Sequence, residues 1–228
     1  KTIIHYNNNI KNKVIFNLEK LDKKFIDAFI YRILQGIYTF DKYKHQDKKT
    51  QTLYFYVPQM SNENKKNIIS IVYGSYITRN LINEPSNIST PDKFSKYSRL
   101  FFKNIKNVKV TVFNDVQIRK IGFNLINAVG NSSANKPRFL IIDYSPPKYK
   151  KKICLIGKGV TIDTGGYSIK TSNGMNNMFM DKEGAAIAVK ELIEKSKIKG
   201  TVVFYGTPAE ETIFGKVWFA RAGLFNDL

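Results

Sequence analysis

At 228 residues, 43% of them hydrophobic, the chain fits one large domain or two small ones and can bury a real core, which excludes wholesale disorder. The formal charge of +19 comes from 37 basic and 18 acidic residues, but the basic ones are scattered among Asn, Ile and Tyr. AT-rich codons produce that same composition, so a nucleic-acid partner is not expected. The single cysteine, Cys154, excludes an intrachain disulfide, and no stretch resembles a membrane span or signal peptide, so a cytoplasmic, reducing setting is expected. The first residue is Lys1 rather than Met, as expected of a fragment or processed product.

In chain order, residues 18–36 place Leu21, Phe25, Phe29 and Ile33 four apart, which predicts an amphipathic helix with those residues facing a core. Gly36 and the polar run 41–51 predict a loop. The aromatic run 52–57 (TLYFYV) predicts a strand ended by Pro58. Residues 62–82 form a second helical pattern with Ile68, Ile69, Val72, Ile77 and Leu81 on its apolar side. Asn83 and Glu84 follow and are read as polar groups that satisfy the backbone of a turn. Thr90 before Pro91 pairs an N-cap with a first helical residue, and a helical pattern runs over 94–102.

Residues 108–113 alternate as a strand, and 115–121 predict a short helix stopped by Gly122. Another strand is predicted at 139–143, then a basic exposed turn at 145–152 (SPPKYKKK). The apolar run 153–156 reads as a buried strand with Cys154 as a small core residue. Ile187, Val189, Leu192 and Ile193 predict a helix, and 201–205 (TVVFY) the next buried strand. Alternating helices and buried strands without hairpin signals argue for an α/β fold. The expected form is a mixed, mainly parallel sheet with helices on both faces over 61–228, preceded in 1–60 by the end of a smaller α/β domain.

The densest chemistry follows residue 156. Gly157-Lys158-Gly159 leads to Asp163, Gly165-Gly166, Lys170 and Asp181. Open α/β sheets place their sites past the carboxyl end of a strand, and glycines let the backbone approach a ligand closely. Asp163 and Asp181 are the carboxylates available to a hard divalent ion. His5 and His45 lie in polar stretches far away, and neither an H-E-x-x-H helix nor a G-x-S-x-G elbow is present. The Gly-Lys-Gly run lacks the spacing and ending of a phosphate loop.

Four segments in register resemble the metal-binding signature of the leucyl (cytosol) aminopeptidases. They are Gly157-Lys158-Gly159, Ile162-Asp163-Thr164-Gly165-Gly166, Ser168-Ile169-Lys170 and the run Met178 to Ala186 around Asp181. Arg79 to Pro91 is similar to the segment that opens the family's catalytic domain, 128–133 to its A-V-G-x-G-S loop, and 29–44 to a segment late in its amino-terminal domain. The resemblance implies a zinc-exopeptidase-like fold and a metal-dependent aminopeptidase acting on peptides, with two zinc or manganese ions and a hexameric assembly. It also implies that Lys158, Asp163 and Asp181 are metal ligands, Lys158 as a neutral amine, and that Lys170 polarises the peptide carbonyl.

The sequence departs from the family at several points. Phe179 stands where a lysine or arginine is usual, and Lys182-Glu183 replaces a Met and a small residue after Asp181. The N-T-D-A-E-G-R block, which supplies an aspartate, a glutamate and an arginine, has no counterpart among the 228 residues. Residues 200–228 instead resemble the amidohydrolases that cleave aminobenzoyl-glutamate, in which Glu210 would be the general base and Glu211 a metal ligand. A composite chain is therefore expected, with at most one weakly held ion, to which Glu183, Glu210 or Glu211 is an additional candidate ligand. Two readings stand beside the aminopeptidase: a non-catalytic structural or binding relative, and a basic nucleic-acid-binding protein.

Overall fold

The computed structural model describes residues 3–9, 13–44, 50–148, 152–182 and 201–207. Among these, one compact unit runs to Tyr76 and a second begins at Ile77. The predicted helix 187–193 and everything after residue 207, Glu210 and Glu211 included, lie outside the described residues, as does Glu183.

In the first unit, β1 (Ile3–Asn9), β2 (Lys13–Asn17) and β3 (Thr50–Tyr56) form a sheet in the order β1-β3-β2. β3 pairs antiparallel with β1 and parallel with β2. The parallel pair is joined through α1 (Lys23–Gly36), the crossover that parallel strands require. Asp22 caps α1, its side chain accepting from the Lys24 N–H at 3.1 Å. α2 (Asn62–Asn83) follows. Register places Val14 opposite Leu53 and Phe16 opposite Phe55, so these four share one face. Phe16 and Phe55 stack there at 5.1 Å between ring centres, while Ile15 on the other face is exposed.

The predicted face of α1 is corrected by one residue. Ile26, Ile30 and Leu34 are buried, whereas Phe25 and Phe29 are exposed and Leu21 and Ile33 only flank the core. Both sets repeat every four residues, so spacing alone does not separate them; the aliphatic stripe fits against Leu53 and Phe55, and Phe29 keeps an edge contact with Phe16 at 6.0 Å. On α2, Ile68 and Val72 are buried as expected and Ile69 is exposed.

In the second unit, α3 (Pro91–Phe102) leads to β4 (Val108–Phe113), then α4 (Asp115–Lys120), α5 (Asn124–Gly130) and β5 (Phe139–Tyr144). β6 (Lys152–Lys158), α6 (Ser172–Met175) and β7 (Thr201–Thr207) complete the described elements. Thr90 caps α3 and Pro91 is its first residue, as predicted. Gly122 ends α4 with φ +81°, a conformation glycine adopts freely. The sheet order is β4-β5-β7-β6.

The sheet is mixed, but parallel pairing does not dominate among the described strands: β6 and β7 are parallel, while β4–β5 and β5–β7 are antiparallel. The segment through α4 and α5 returns the chain beside the end of β4, where Phe113 faces Phe139, and that fixes the antiparallel pair. Phe94, Phe101 and Phe102 pack on Val108, Val110, Val112, Leu140 and Ile142, which share one face of β4 and β5. On the alternate positions Phe139 stacks with Phe113 and meets Phe123, from the α4–α5 turn, edge-on at 5.0 Å.

Candidate metal and catalytic site

β6 runs two residues beyond the predicted strand, so Lys158 is its last residue and is buried with Gly157. Its Nζ lies 2.6 Å from Asp181 Oδ2 and 3.0 Å from Asp163 Oδ2. The second oxygen of Asp163 accepts the Gly165 N–H at 2.9 Å. Lys170 Nζ is 3.7 Å from Asp163 Oδ2, and the Lys170 N–H closes the loop on the Thr164 carbonyl at 2.9 Å. The structure therefore gathers all four residues singled out in the signature, from a strand end, a loop and a 3-10 turn (Met178–Met180).

Glycine is required at the bend. Gly165 has φ +84°, and a Cβ there would fall 2.3 Å from the Ser168 carbonyl oxygen. Thr171 then starts α6 by accepting the Gly174 N–H at 3.2 Å. Beyond Lys158 and up to Asp181 no residue is fully buried; Lys182 is. The exposed apolar side chains Ile162, Tyr167, Ile169 and Met180 belong to this loop. A cavity of about 360 Å³ borders Gly159, Val160, Thr161, Ile162 and Thr164 on the side of Phe94, Ile126 and Leu140.

Two carboxylates and two ammonium groups nearly cancel in charge. Burial disfavours the Lys158 ammonium, but Asp181 and Asp163 outweigh it and hold its pKa above the ordinary lysine value. Asp163 shows the mirror case: burial opposes ionisation, and the Gly165 N–H with the Lys158 ammonium holds its carboxyl below the ordinary range. Lys182 differs. Burial pushes its pKa down to about 8 against the pull of Glu84. Its Nζ donates to the Glu84 backbone carbonyl, a contact spanning 98 residues that the sequence reading missed. The available signal was a lone lysine after the apolar run Met178-Phe179-Met180.

The donors fit a divalent ion in part. Among the described residues no group of three or more His, Cys, Asp or Glu converges, but Asp163 and Asp181 point at one nitrogen, and a deprotonated Lys158 would add a third donor.

Acidic and basic side chains thus gather past the carboxyl end of a strand, the place where open α/β sheets put their ligand sites. Residues 76–217 match the cytosol aminopeptidase family, catalytic domain, and the chain belongs to that family. The match runs to residue 217, into the stretch for which the sequence alone suggested a likeness to the amidohydrolases. A protein of Persephonella marina described as a probable cytosol aminopeptidase is 32% identical over 185 residues, covering 78% of this chain and 37% of the relative. Its Treponema denticola counterpart is 30% identical over 223 residues, covering 90% and 46%.

Among solved structures, the bottromycin maturation enzyme BotP in complex with Mn shares the fold with a TM-score of 0.75 at 22% identity, over 86% of this chain and 43% of that one. The cytosol aminopeptidase of Coxiella burnetii gives 0.74 at 22% identity, over 86% and 42%. The chain thus spans less than half the length of each of these relatives.

Proposed function

We propose that this chain carries part of the active site of a metal-dependent aminopeptidase that releases N-terminal residues such as leucine from peptides in the cytoplasm. The observation that carries this is the convergence of Asp163 and Asp181 on Lys158 with Lys170 beside them, in a chain of the cytosol aminopeptidase family. Lys158, Asp163 and Asp181 would hold the metal, manganese or zinc. When bound, the ion supplies an activated water and an attachment point for the substrate's amino group. Lys170 would donate to the peptide carbonyl oxygen and stabilise the negative charge that develops there.

Lys158 is a cation between two carboxylates, so metal uptake must displace its proton. Full activity in the family uses two ions, and two carboxylates with one amine are a weak set for two dications. We expect one weakly held ion and little or no turnover from these 228 residues. Residues 1–60, in this reading, are the end of the amino-terminal domain. A non-catalytic relative is the second reading, favoured by the buried cation Lys182 beside Asp181.

Calorimetric titration with Zn²⁺ and Mn²⁺, paired with a fluorogenic leucyl-amide assay, tests the proposal. One ion should bind, more tightly as pH rises, and Asp181→Ala should abolish it. No metal binding at any pH favours the non-catalytic relative. Two tight sites with turnover lost in Lys170→Ala would show that Glu183, Glu210 or Glu211 completes the set.

A further inference from the structure

From Gly159 to Asp181 the chain runs 23 residues without a fully buried side chain, and a buried lysine stands at each end. Lys158 opens the segment in the ion-pair cluster. Lys182 closes it, 5% exposed, with its ammonium on the Glu84 carbonyl. The turn between carries little packing of its own: Met178–Met180 has no buried residue and Met180 is 37% exposed. What holds Asp181 in place must therefore come from its neighbours.

Consecutive residues diverge here. Asp181 reaches Lys158, whereas Lys182 reaches the turn ahead of α3. The chain between them is tightly bent, the Lys182 N–H donating to the Met180 carbonyl at 2.8 Å. The far end is firm as well. The Glu84 N–H ends α2 on the Asn80 carbonyl, Ile88 and Ser89 both donate to the Pro85 carbonyl, and Glu84 itself is buried. A lysine stem is long enough to lie along apolar surface and bring a donor to such a carbonyl.

We propose that Lys182 is a positioning residue: its buried contact with the Glu84 carbonyl fixes the turn that presents Asp181 to Lys158 and Asp163. This rests on the metal-site reading for its functional consequence, though not for the anchoring itself. Two effects of removing the cation oppose each other. Electrostatics alone says that Lys182→Met, similar in length and uncharged, tightens a dication one residue away. Loss of positioning says that it weakens it, since partners behind the ligands are worth 10–100-fold in metal affinity.

The test is Mn²⁺ titration together with hydrogen exchange on the metal-free full chain. Lys182→Met should raise the Mn²⁺ Kd about tenfold and speed exchange across Asn177 to Lys182 while leaving β4 and β5 protected. Lys182→Arg, which keeps a long cationic donor, should restore most of both. An unchanged or lower Kd overturns the functional role, and unchanged exchange overturns the anchoring. Should the parent chain bind no Mn²⁺, the metal-site reading fails by itself and exchange alone decides on the anchor. Should the Met variant not fold, Lys182→Gln, which keeps a donor on a shorter stem, carries the same two measurements.

Discussion

The two units bury different things. Among the described residues the first gathers ten buried apolar ones into one cluster built largely on α1, α2 and β3, and Ser70 is its only buried polar residue. Among the described residues the second buries six apolar ones and seven polar or charged ones, including Glu84, Lys158 and Lys182. Carbon removed from water stabilises a fold without a partner, at about 25 cal/mol per Å². A buried charge does so only when it is paired. Among the described residues packing therefore dominates the first unit, whereas the second adds buried polar groups held by specific contacts, some at the site and others, such as Ser95 and Ser98, along α3.

The largest expected effect lies in the first unit. Phe55 is fully buried and stacked on Phe16, so Phe55→Ala should cost ~3–5 kcal/mol through lost transfer energy and the cavity left behind. Urea unfolding followed by hydrogen exchange would show it. Faster exchange should be confined to α1 and the β1–β3 sheet, and a loss spread evenly over both units would break the comparison.

What the sequence disclosed follows the same division. Lys158, Asp163, Lys170 and Asp181 were legible because glycines and charges at fixed separations within one short segment constrain each other locally. β4 and the cap at Thr90–Pro91 were equally local. What escaped depends on distant partners. α1 was oriented by its aromatic stripe, although Leu53 and Phe55 across the sheet select the aliphatic one. β1 and β2 both run out into Asn, a residue depleted in strands, and pairing with β3 is what makes them strands. α5 escaped as well, its first residues given no element and only 128–130 falling in the stretch compared with a loop, and the Lys182–Glu84 contact joins residues that no periodicity connects.

The second unit offers an intermediate effect with a pH signature. Asp163 holds two lysines and the Gly165 N–H, so Asp163→Asn at neutral pH should cost about 2 kcal/mol, the scale of a hydrogen bond to a charged group. Its folded pKa lies below the ordinary 3.8, so the unfolded chain binds the proton more readily. The stability it contributes is thus fully present above 3.8 and is lost as pH falls through the depressed value. Metal-free unfolding measured from pH 7 downward should steepen in that acid range, and Asp163→Asn should flatten it. An unaltered acid limb would mean that the pairing with Lys158 adds nothing to the fold.

The smallest effect tests whether the second unit's polar burial matters away from the site. Thr90 is 9% exposed, and its Oγ1 accepts the Lys93 N–H at 3.3 Å at the start of α3. Pro91 presets the first helical residue, and Asp92 adds a carboxylate to the first turn. With those aids intact, Thr90→Ala removes a single acceptor and should cost ~1 kcal/mol, while Thr90→Ser should cost a few tenths. The loss should appear as a lower urea midpoint with an unchanged slope and unchanged Mn²⁺ affinity, because α3 packs on Val108 and Leu140 rather than on the Lys158 cluster. If Mn²⁺ binding weakened in parallel, the cap would belong to the same network as Glu84 and Lys182. The buried polar residues of the second unit would then act as one connected support for the site.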